Sequence, residues 1–76
     1  MNSELVHRAV VKIPDWGEVE RWCNDNIGEW NLEWYKLGVD ITRLVVAIET
    51  EDYLVETTWF FKQERNKTMF MLRWGV

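Results

Sequence analysis

The clearest pattern begins near the N-terminus, where residues 5–13 follow a two-residue repeat. Leu5, Ala9, Val11 and Ile13 share one phase together with His7, and Arg8 and Lys12 share the other. This predicts a half-buried strand, and Pro14, which has no N–H for a ladder, ends it. A helix is predicted over residues 15–28. Asp15 is a suitable N-cap, Glu18 completes a capping-box spacing, and Trp16, Val19, Cys23 and Ile27 recur at helical intervals with Trp22 beside them. Gly28 is placed to end that helix in the left-handed conformation.

Residues 29–41 fit two templates. Trp30, Trp34 and Leu37 make a helical stripe, whereas Trp30, Leu32 and Trp34 alternate as in a strand. A short extended segment ended by Gly38 is the reading adopted. Residues 43–61 predict a β-hairpin turning at Glu51-Asp52. One face then pairs Ile48 with Val55, Val46 with Thr57 and Leu44 with Trp59; the other pairs Ala47 with Glu56, Val45 with Thr58 and Arg43 with Phe60. The β-branched and aromatic run Val55, Thr57, Thr58, Trp59, Phe60 and Phe61 supports the second strand. Residues 63–74 are rich in helix formers. They carry two apolar stripes, Arg65, Met69, Leu72 and Val76 on one and Phe70 and Trp74 on the other.

The predicted fold class is α+β: a two-layer sandwich of a mostly antiparallel sheet with two helices on one face, in the order β-α-(short β)-β-β-α. The alternative is a ferredoxin-like βαββαβ order, which requires a helix at 53–61 and a strand at 69–74. Propensity favours the first arrangement.

Length changes this picture by making the core thin. Seventy-six residues give one domain, 1–76, and a chain this short often needs a disulfide, a metal or a partner chain for support. A single cysteine, Cys23, and a single histidine, His7, exclude an intrachain disulfide and a Cys/His zinc set. Association with another chain is the support that is left. A net charge of −4 disfavours nonspecific binding to nucleic acid or to anionic membranes. No apolar run approaches the ~20 residues of a membrane span. The first residues do not read as an export signal, so a reducing cytoplasm is the expected location.

Catalytic chemistry finds little footing. The glycines stand apart at Gly17, Gly28, Gly38 and Gly75, so no phosphate-binding loop is formed. Cys23 lies on the apolar helix stripe and reads as a buried thiol, and His7 has no evident partner. Glu49, Glu51, Asp52 and Glu56 crowd the predicted turn and read as a solvated, aggregation-resistant tip rather than a cation site. No cofactor, metal or catalytic residue is assigned, and the chain is read as non-enzymatic.

Six tryptophans in so short a chain are costly to bury, because each indole N–H needs an acceptor. Trp16, Trp59 and Trp74 have places in the core; Trp30 and Trp34, on an irregular segment, are read as core with partner contact as the alternative, and both are kept among the candidate interface residues. The second face of the sheet supplies the rest of a candidate interface: Val6, Val10, Val45, Ala47, Leu54 and Phe60, edged by Arg8, Lys12, Arg43, Glu49 and Glu56. An apolar centre with a charged rim is how protein interfaces are built. The expected function is a small interaction module, forming a homodimer or docking a host protein there. Two rivals are a binder of single-stranded nucleic acid using Arg8, Lys12, Arg43 and Phe60, and an acidic decoy presenting Glu18, Glu20, Asp25, Glu29 and Glu33.

The tail Thr57-Thr58-Trp59-Phe60-Phe61, followed by Met69-Phe70-Met71-Leu72-Arg73-Trp74, resembles small uncharacterised proteins of tailed phages infecting marine cyanobacteria. Ile27-Gly28-Glu29-Trp30 and Trp34-Tyr35-Lys36-Leu37-Gly38 are similar in style. The tail departs from the commoner pattern at Asn66-Lys67-Thr68, where an acidic residue and an alanine are more usual. The resemblance implies a phage product made in a bacterial host cytoplasm and implies no activity.

Overall fold

The computed structural model describes residues 3–38 and 54–75. In chain order they form strand β1 (His7–Ile13), helix α1 (Trp16–Asn26), a short strand β2 (Trp34–Lys36), strand β3 (Val55–Phe61) and helix α2 (Glu64–Trp74). The predicted strand at 43–49, its turn, and the candidate interface residues Arg43, Val45 and Ala47 lie outside the described residues.

The sheet order is β1-β3-β2, with both neighbours antiparallel to β3. β1 and β2 are therefore parallel to each other with β3 inserted between them, a split β-α-β unit. The ladder pairs His7 with Phe61 at one end and Ile13 with Val55 at the other. On the opposite edge Trp34 pairs with Phe61, Tyr35 with Phe60 and Lys36 with Trp59. Trp59 thus has Ala9 and Lys36 as neighbours, and Phe60 has Arg8 and Tyr35; their predicted hairpin partners Leu44 and Arg43 lie outside the described residues. The ferredoxin-like alternative is overturned, because Val55–Phe61 is a strand and Glu64–Trp74 a helix.

α1 starts as its capping residue requires. The Asp15 carboxylate accepts hydrogen bonds from the N–H groups of Gly17 (3.0 Å) and Glu18 (3.3 Å), satisfying two of the otherwise orphaned donors of the first turn. Its far end needs a glycine. Gly28 has φ +147°, and a Cβ there would lie 2.7 Å from Cγ of Glu33, so only glycine fits the turn that leads into β2.

One core joins the layers. Ala9, Val11 and Ile13 of β1, Trp34 of β2, and Trp59 and Phe61 of β3 meet Val19 and Cys23 of α1 and Phe70 of α2. Both helices thus cover the same sheet face. Of the two apolar stripes on α2, the aromatic one turns inward: Phe70 is buried and Trp74 packs on the core, whereas Leu72 is 79% exposed. The larger rings remove more apolar area from water, which decides the helix rotation.

Candidate functional site

Alternation along three strands sorts side chains onto two sheet faces. Val55, Thr57, Trp59 and Phe61 are buried beneath the helices, so Leu54, Glu56, Thr58 and Phe60 point the other way. Their neighbours across the ladder on β1 are Arg8 opposite Phe60, Val10 opposite Thr58, and Lys12 opposite Glu56. On β2, Trp34 faces the core, which turns Tyr35 outward beside Phe60. Leu37 continues that phase, its N–H donating to the Thr58 carbonyl at 3.0 Å. The outer face is therefore an ordered grid: a cationic column on β1, an apolar and acidic column on β3, and an aromatic and apolar column on β2.

The apolar members are open to water. Val6 is 66% exposed, and Val10, Leu37 and Leu54 are exposed as well. Trp30, 51% exposed, lies against Tyr35 with ring centroids 5.2 Å apart, extending the aromatic column past the sheet edge. The exposed patch joins all three strands and the turn before β2, which distinguishes it from the scattered surface leucines that need no explanation.

Trp34, kept above among the candidate interface residues, is core. It is 1% exposed, its ring packs 5.8 Å from Trp59, and its indole N–H donates to the Gly28 carbonyl at 2.9 Å. The carbonyl of the helix-terminating glycine supplies the acceptor that a buried indole requires. Val6, Arg8, Val10, Lys12, Leu54, Phe60 and Trp30 do share one face or its margin. Tyr35 and Leu37, not chosen from sequence, belong with them; the signal was available, because a strand with Trp34 inward must turn residues 35 and 37 outward.

The inner face shows how the remaining polar groups are satisfied. The Trp59 indole N–H donates to the Thr57 hydroxyl at 2.7 Å, and that hydroxyl donates to the Val11 carbonyl at 3.2 Å. Thr57 thus links the largest buried ring to the edge strand. Lys36, in the inward phase of β2, reaches back to α1: its Nζ lies 3.5 Å from Oε1 of Glu20 and 5.8 Å from the Trp16 ring centroid. Glu20, one of the five carboxylates of the decoy reading, therefore faces a cation. Trp74 stacks under the Arg73 guanidinium at 4.2 Å and edge-on to Trp22, and among the described residues its buried Nε1–H has no acceptor.

Cys23 is fully buried, and burial pushes its thiol up to about 12, with the nearby Glu20 carboxylate adding to the effect. The thiolate is the reactive form, so a thiol reagent at pH 8 should label the native protein only through unfolding, at a rate that rises with added urea. Rapid labelling without denaturant would contradict this burial. The sign for stability follows: the folded state holds the thiol proton more tightly than the unfolded state, so this contribution is complete below about pH 9 and is lost as pH rises toward about 12. Among the described residues no three His, Cys, Asp or Glu side chains converge to hold a metal ion. A shallow depression of about 400 Å³ along the outer side of α2, lined by Glu64, Lys67, Thr68, Met71, Leu72 and Gly75, holds no nucleophile–base pair.

The fold and this face define a class: a small α+β protein with an antiparallel sheet, helices on one side and an exposed apolar face on the other. No protein-family model, curated protein or solved structure matches the chain. Among the described residues no helix is long and apolar enough to cross a membrane.

Proposed function

We propose that this protein is a non-enzymatic interaction module that docks through the outer face of its sheet, with a second copy of itself as the occupant. The observation that carries the reading is the laterally continuous grid in which exposed Val6, Val10, Leu37, Leu54 and Trp30 surround half-buried Tyr35 and Phe60. A partner of the same kind suits it, because the face bears both signs of charge, Arg8 and Lys12 on β1 and Glu56 on β3. An isologous interface must be complementary to itself. Two strands of seven residues and one of three give a face of at most roughly 23 by 14 Å. Pairing two such faces covers roughly 640 Å² in projection, the size of a weak and transient contact, so the dimer is expected to be reversible rather than obligate. Phage origin and a host-cytoplasm location belong to the same proposal and rest on the tail similarity.

Light scattering across a concentration series tests it. The wild type should pass from monomer to dimer between micromolar and millimolar concentration, and Phe60→Asp should remain monomeric with unchanged far-ultraviolet circular dichroism. A wild type that stays monomeric throughout overturns the reading. The rival, stacking of single-stranded nucleic acid bases, is favoured by the row Trp30, Tyr35, Phe60 and Arg8 and opposed by the net charge of −4. A gel shift with random oligonucleotides at low salt that is lost in Phe60→Asp would replace the dimer by that function.

A further inference from the structure

The distribution of charge on the outer face also fixes how two copies meet, an inference that rests on the self-association proposed above. Two sheets related by a two-fold axis can stack in two simple ways. An axis perpendicular to the strands lays β1 over the partner's β1. An axis parallel to the strands, running above β3, lays β1 over the partner's β2 and β3 over β3.

The first arrangement brings the cationic column against itself. Arg8 and Lys12 alternate along β1 on the same face, and with rows reversed Arg8 meets the second Lys12 or Arg8. Like charges so placed oppose association. The second arrangement sets Arg8 over the aromatic column of the other chain, where Tyr35 stands in the same row and Trp30 packs on Tyr35 at 5.2 Å. A guanidinium over exposed aromatic rings is a favourable contact. Val10 then opposes Leu37 of the second copy, and Phe60 opposes Phe60. Glu56 lies opposite Lys12 within its own sheet, so where the two Glu56 carboxylates face each other across the axis, each has an ammonium group of its own sheet beside it.

We infer that the chain forms a two-fold dimer whose axis runs along β3, with Arg8 of each copy seated on the Trp30–Tyr35 pair of the other. Cysteine crosslinking tests the axis directly, because the native Cys23 is fully buried and does not compete. Stacked sheets lie ~10 Å apart, beyond disulfide reach, so a short bis-maleimide is the probe. Thr58→Cys, on the axis, should crosslink efficiently; Val10→Cys, displaced to opposite sides of it, should crosslink poorly. Arg8→Ala should raise the dimer dissociation constant about tenfold. If Val10→Cys crosslinks as well as Thr58→Cys, the perpendicular axis holds and the inference is wrong. If light scattering shows a dimer and neither variant crosslinks, association uses another surface and both the inference and the assigned face fall. A strictly monomeric wild type removes the self-association itself.

Discussion

Phe70→Ala is expected to lower stability by about 3–5 kcal/mol, the usual cost of truncating a fully buried aromatic side chain. The structure gives the reason. Phe70 is the residue at which both helices and the central strand meet: its ring lies 5.0 Å from Phe61, 5.2 Å from Trp59 and 6.3 Å from Trp22. Alanine removes three ring contacts and leaves a void where α2 rests on the sheet. A domain of this length has a total stability of only about 4–11 kcal/mol, so the variant should lose most of its folded population or melt at least 12 °C lower. Thermal denaturation followed by circular dichroism measures this, with Phe70→Leu as the control that keeps most of the volume. A melting temperature within a few degrees of wild type would show that α2 does not depend on this ring.

Thr57→Val is expected to cost about 1–3 kcal/mol although it preserves shape and adds no bulk. Its hydroxyl is the acceptor for the Trp59 indole and the donor to the Val11 carbonyl, and valine strands a buried N–H against an apolar surface. Trp59→Phe made in the Thr57→Val background should therefore be cheaper than in wild type by about 1 kcal/mol, because the donor in need of an acceptor is gone. Urea unfolding of the four proteins completes the cycle. Additive losses would show that the relay contributes nothing as a unit.

Much of the secondary structure was legible because local rules and burial agree. β1 is half-buried, so its alternation is clean, and Asp15 caps α1 through bonds that depend only on residues two and three positions ahead. β3 announces itself by β-branched and aromatic residues. Pairing was less legible. The sequence suggests that β3 folds back on the nearest preceding strand, since short loops are common, and that strand lies outside the described residues; the described partners are distant, His7 standing 54 positions before Phe61 and Tyr35 25 before Phe60. Nothing local encodes so distant a choice. Trp34 was misplaced for a related reason: whether an indole is core or contact depends on where an acceptor lies, and the Gly28 carbonyl becomes available only once α1 has ended. Among the described residues the outward phase was easier to read, because period two, once the inner phase is known, assigns it; Tyr35 and Leu37 escaped through the ambiguity of the segment that carries them.

The insertion of β3 between β1 and β2 also has a bearing on biosynthesis. The first two strands share no hydrogen bonds, and the strand that unites them is translated after both. Until Phe61 has emerged from the ribosome, the nascent chain holds α1 and two strand segments without their common centre. The sheet must therefore assemble after β3 is free, and a message truncated before codon 55 would yield a product with no way to join β1 to β2.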